Sequence, residues 1–67
     1  MIVQITIDCD NAAFEDAPSI EVARILRHYA KKIEGHPYFG DGFSTALLDI
    51  NGNEVGNLSV KGEQNED

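Results

Sequence analysis

A chain of 67 residues is expected to form one small domain, with a single core and no room for a second. Its 5 Lys and Arg against 12 Asp and Glu leave a net charge of −7, and 42% hydrophobic residues set it apart from disordered and collagen-like sequences. No apolar run approaches the ~18 residues of a membrane span. The opening MIVQITIDCD lacks the basic region and cleavage site of a signal peptide, and the single Cys9 forms no internal disulfide. The expectation is a soluble cytosolic α+β domain. So short a chain covers little of its surface, so dimerisation or a larger partner is expected to complete it.

Residues 2–9, IVQITIDC, alternate Val3, Ile5, Ile7 and Cys9 with Gln4, Thr6 and Asp8, the period of a half-buried strand. Cys9 falls on the expected core face, and Ile2 falls on the opposite one. In 10–16, DNAAFED, the alternation breaks; Asp10 and Asn11 suit a turn, and Phe14 reads as a lid on one end of the core.

Residues 17–34, APSIEVARILRHYAKKIE, predict a helix. Pro18 suits its first turn, Asp16 its N-cap, Gly35 its end, and Pro37 blocks continuation. At about 100° per residue, Val22, Ile25, Leu26, Tyr29, Ala30 and Ile33 share an apolar face roughly 160° wide, enough to cover a small sheet. Ile20 lands outside that face, either against Phe14 or exposed.

The segment 36–42, HPYFGDG, reads as a loop, and 43–50 and 55–60 as two strands. Asn51-Gly52 between them is a hairpin signal, because both residues tolerate positive φ. Gly56 suggests a bulge. Leu47 and Leu48, being adjacent, point to opposite faces. The polar stretch 61–67 is expected to be a disordered acidic tail.

The order is then β-α-β-β, a two-layer α+β fold with one helix packed on a three-stranded, mainly antiparallel sheet; strand one pairs antiparallel with strand three, giving order 2-3-1, or alternatively parallel with strand two through a right-handed crossover. The single domain occupies 1–60. Its expected core holds Val3, Ile5, Ile7, Val22, Ile25, Leu26, Tyr29, Ile33 and Leu58. The uncovered sheet face, carrying Ile2 and one of Leu47 and Leu48, is an expected homodimer surface.

Charge is laid out unevenly. Arg24, Arg27, Lys31 and Lys32 all lie in the helix, while loops, hairpin and tail are acidic. So few cations, without interleaved aromatics, do not predict direct nucleic-acid binding. The acidic remainder suits a basic partner, such as the nucleic-acid groove of another protein.

Little here points to catalysis. Asp8-Cys9-Asp10 with His28 or His36 has metal-ligand types but no zinc or EF-hand spacing. The glycines of HPYFGDGF open no phosphate-binding helix. No catalytic residue, metal or cofactor is expected. The surface residues expected to touch a partner are Arg24, Arg27 and Lys31 on the helix, Tyr38 and Phe39 in the loop, and Asp49 and Glu54 at the hairpin.

DNAAFED at 10–16, EVARILR at 21–27 and LLDINGNEVG at 47–56, in that order, resemble a family of short uncharacterised proteins encoded by phages and prophages. The resemblance covers most of residues 2–60 and implies a bacterial cytosol as the setting. By analogy with small acidic proteins of such genomes, it implies binding to a host protein, with inhibition or an anti-defence role. The alternative is an oligomeric protein that binds or sequesters a small molecule or nucleotide, in a pocket between subunits lined by Tyr38, Phe39 and the helix cations.

Overall fold

The computed structural model describes residues 1–62. Strand β1 (Ile2–Ile7) leads through a 3-10 turn (Ala12–Phe14) to helix α1 (Pro18–Glu34), then to β2 (Ser44–Leu48) and β3 (Glu54–Lys61). The strands form one antiparallel sheet, order β1-β3-β2, with the helix on one face. This is the expected α+β fold, and of the two strand pairings expected for β1 it is the antiparallel one with β3. Lys61 belongs to β3 rather than to a tail, and Gly62 donates its N–H to Asp41 Oδ1 at 2.6 Å. The remainder of the expected tail lies outside the described residues.

The helix starts at Pro18, but its N-cap is Ala17, which has no capping side chain; Asp16 does not cap it. Glu21 supplies the acidic group of the first turn instead. The β2–β3 turn closes with Asp49 N–H on the Asn53 carbonyl (2.9 Å) and Gly52 N–H on the Asp49 carbonyl (3.0 Å). Only Gly52 takes a positive φ, +86°, so the hairpin has a three-residue loop, and Asn51 stays at negative φ. The expected bulge is present: β3 skips Val55 as its β2 partner passes from Leu47 to Leu48. Its neighbour Gly56 is needed for close approach, because a Cβ there would overlap the Thr6 carbonyl oxygen of β1.

The core consists of Phe14, Ile25, Tyr29, Leu47, Val55, Leu58 and Val60. Phe14 is the lid expected of it, and Ile20 is exposed. Ile7, Val22 and Ile33 are only half-buried against this cluster. Three expected core residues are outside it: Val3 is 44% exposed, Ile5 46% and Leu26 42%. The cause is the position of the helix. The Tyr29 hydroxyl accepts the Leu48 N–H of β2 at 3.1 Å, and Arg24 reaches the Leu48 carbonyl at 3.5 Å. These bonds fasten α1 over the β2 side and leave β1 without a roof. Cys9 is also exposed, because β1 ends at Ile7 and the chain turns where Asp8 Oδ1 accepts the Asp10 N–H.

The face away from the helix is not the apolar surface expected. Register and alternation place Gln4, Thr6, Ser44, Ala46, Asn57 and Ser59 on it, with Ile2 beside Lys61 at one corner and Leu48 beside Glu54 at the opposite one. A mostly polar face of this kind has no reason to exclude water.

Candidate functional site

The most heavily bonded polar cluster sits where the hairpin loop meets the helix. Arg24 donates from Nε and Nη2 to the two carboxylate oxygens of Glu21, both at 2.9 Å. Glu21 Oε2 also accepts the Ile50 N–H at 2.9 Å. The Arg24 side chain holds the Glu21 carboxylate below its usual pKa; burial opposes this and the Ile50 N–H adds to it. The same bonds raise Arg24.

Asp49, 4% exposed, accepts from the Asn51 and Asn53 N–H groups (2.8 and 2.9 Å), the Asn11 side chain (2.7 Å) and the Asn53 side chain (3.4 Å). Burial pushes the Asp49 pKa up, but the Asn53 N–H, the Asn11 amide, the Asn51 N–H and the Asn53 amide together hold it below the ordinary carboxylate value. This cluster ties three segments together, and its carboxylates are engaged internally. Asp49 is therefore not the surface group expected at the hairpin, and Arg24 is half-withdrawn into its ion pair.

The other expected contact residues are scattered. Arg27, Lys31 and Glu54 are exposed. Tyr38 is 56% exposed, with its hydroxyl donating to the Asp41 carbonyl at 2.7 Å. Phe39 packs on Phe43 with ring centroids 5.2 Å apart and is half-buried, so it serves the core.

Two concavities stand out. One, about 240 Å³, lies by the helix C-terminus between Tyr29, Lys32, His36 and Phe43, with Lys32 Nζ 5.6 Å from the Tyr29 ring centroid. It includes neither Tyr38 nor Phe39. The other is open, about 700 Å³, at the end of β1 and β3, and Asp8, Asp10 and Glu54 line it with Asn11 and Asn57. Glu54 was expected at a contact surface. In the sequence Asp8 and Asp10 read as metal-type residues, and Asp10 also as a turn residue; their meeting with Glu54 depends on the β1–β3 pairing, which local sequence does not reveal. Among the described residues, no group of three or more His, Cys, Asp or Glu side chains is placed to hold a metal ion, and no helix is long and apolar enough to cross a membrane.

No protein-family model, curated protein or solved structure matches the chain.

Proposed function

We propose that the protein is a small accessory protein of the phage or prophage type that binds a bacterial host protein and inhibits it by occlusion. The docking surface is the acidic end of the sheet, and the partner surface is basic, of the kind that holds nucleic acid. The observation supporting this reading is the open concavity lined by Asp8, Asp10 and Glu54 on a chain of net charge −7. By contrast, the ionisable groups with displaced pKa values, Glu21, Arg24 and Asp49, are occupied in holding the fold. Binding, rather than catalysis, is the role that uses the exposed groups.

The test is affinity capture from bacterial lysate with the wild type, with Asp8→Asn/Asp10→Asn/Glu54→Gln, and with Arg27→Glu/Lys31→Glu. A protein held by the wild type, released by moderate salt and by competing nucleic acid, and lost by the triple variant supports the reading. Equal capture by the triple variant refutes the acidic surface; loss only in the helix variant moves the site to Arg27 and Lys31. A second reading, a binder of small aromatic anions, is favoured by Lys32 over Tyr29 in the smaller cavity. A rise in melting temperature with added nucleotides, absent in Lys32→Ala, distinguishes it.

A further inference from the structure

The two edges of the sheet differ where the helix reaches β2, at Leu48. On β2, Leu48 has both backbone groups engaged by helix side chains, Tyr29 and Arg24. On β1, the Asp8 N–H bonds to the Val55 carbonyl at 2.8 Å, and Asp8 is the next residue in the Ile7–Gly56 register. By antiparallel alternation, the even residues of β1 therefore bond to β3, while Val3, Ile5 and Ile7 turn their N–H and C=O groups outward. Among the described residues nothing pairs with them. This open edge reads IVQITI and contains no charge and no proline, the devices that normally keep such an edge from pairing.

We propose that β1 is a self-association edge whose occupant is the β1 of a second copy, paired antiparallel about a two-fold axis at Ile5. The observations favouring a copy of this chain over another strand are pattern and charge. With Ile5 on the axis, Val3 meets Ile7 of the second copy and Gln4 meets Thr6, so apolar faces apolar and polar faces polar on both sides of the sheet. The pattern is self-complementary only in this sense of pairing. It also carries the two Asp8 carboxylates to opposite ends of the interface, six residues or about 20 Å apart. Each comes to the end of the partner strand where Ile2 is flanked by Lys61. Two chains of net charge −7 thus meet along a neutral seam, with Lys61 at the Asp8 end. On the helix side, the half-covered Val3, Ile5 and Leu26 of each copy become one continuous apolar floor in a six-stranded sheet. In each copy this floor adjoins an apolar groove of about 130 Å³ between Ile5 of β1 and Leu26, Ala30 and Ile33 of α1. This inference is independent of the acidic docking surface, and its experiment needs no host partner.

The experiment is sedimentation and light scattering on the full chain, with cysteine cross-linking in a Cys9→Ser background. The wild type is expected to show twice its 7.4 kDa mass at high micromolar concentration. Ile5→Cys is expected to form a disulfide-linked dimer, because directly opposed residues lie about 5.5 Å apart. Gln4→Cys is not, since its counterpart is offset by two residues and beyond the ~7 Å limit for a disulfide. Ile5→Pro removes an outward N–H while leaving the β3 ladder intact, and is expected to be monomeric with an unchanged circular dichroism spectrum. A wild type that stays monomeric, a Gln4→Cys that cross-links as fast as Ile5→Cys, or a folded Ile5→Pro that remains dimeric would each overturn the proposal.

Discussion

Replacing Ile25 and Leu26 by alanine, one at a time, tests where the helix rests on the sheet. The two residues are adjacent and have the same number of carbons, but Ile25 is 0% exposed and Leu26 is 42% exposed. Ile25→Ala removes three buried carbons, worth roughly 2.4 kcal/mol of transfer free energy at about 0.8 each. The space left is on the order of 80 Å³ if nothing relaxes, which at about 24 cal/mol per Å³ adds up to ~2 kcal/mol. Alanine's better helix propensity returns about 0.4 kcal/mol. The expected cost is then about 2–4 kcal/mol, a large part of the roughly 3–10 kcal/mol expected for a chain of this size. For Leu26→Ala, little more than half the transfer term applies and no closed cavity forms, so the expected cost is about 1 kcal/mol. Urea denaturation at concentrations where the chain is monomeric reads the difference as a midpoint shift at constant slope. If Ile25→Ala is too unstable to measure, Ile25→Val should still cost about 0.5–1.5 kcal/mol. Equal costs for the two alanine variants, or a larger one at Leu26, would mean that the helix is turned on its axis and that β1 is covered.

Gly56→Ala should prevent the β1–β3 pairing from closing, seen as loss of sheet signal and of the cooperative transition, because its methyl would overlap the Thr6 carbonyl. Gly42→Ala, at φ +91° with open space around it, should cost only about 1–2 kcal/mol of backbone strain. Tyr29→Phe leaves the Leu48 N–H without its acceptor and should accelerate hydrogen exchange at Leu48, with a stability loss of about 0.5–1.5 kcal/mol; unchanged exchange there would count against the fastening of α1 to β2. In acid, Glu21 and Asp49 should govern the melting temperature. Both have folded pKa values below their ordinary ones, so their contribution is complete above the unfolded values of about 4 and is lost as pH falls through the depressed folded values. Asp49→Asn should lower the melting temperature at pH 7 and flatten its fall below pH 4; a wild-type-like acid profile in that variant would remove Asp49 from the account.

The elements were legible where their signals are local. The alternation of β1, the amphipathic period of α1 and the turn residues before β3 each lie within a few positions. So the element order follows from sequence, with ends displaced by one or two residues, whereas local signals allow either an antiparallel or a parallel partner for β1 and only the structure decides for β3. Alternation says which residues share a face, but not whether anything covers that face. Val3, Ile5 and Ile7 do share one, as expected, yet only Ile7 is even half-buried. Leu26 likewise lies on the apolar side of α1, but at the margin that extends past the covered strands. Two of the expected contact residues, Arg24 and Asp49, are engaged internally for a related reason. Asp49 looks like a surface charge until Asn11, 38 positions away, is brought beside it; Arg24 pairs locally with Glu21, three residues earlier on the helix, and it is the arrival of Leu48 and Ile50 of the hairpin that ties up this pair.

A helix about 10 Å across can shelter little more than two strands spaced about 4.8 Å apart, so a one-helix layer over three strands must leave one strand partly bare. Hydrophobic burial alone does not account for the choice, since β1 (IVQITI) is richer in Ile and Val than β2 (STALL) or β3 (EVGNLSVK), yet it is the strand left bare. The choice is made by polar bonds that join α1 and the turn before it to the β2 end and hairpin: Leu48 N–H to Tyr29, Arg24 to the Leu48 carbonyl, Ile50 N–H to Glu21 and Asn11 to Asp49. Each fastens the helical layer on the β2 side, and together they offset it away from β1. The exposure of Val3, Ile5 and Leu26 is thus a consequence of the clamp that stabilises the hairpin. Acidic groups then crowd the end of the sheet beyond β1, while β1 itself stays uncharged. The two surfaces left for other molecules therefore differ in kind: a neutral edge, proposed to pair with its own copy, and an acidic end, proposed to dock a basic partner.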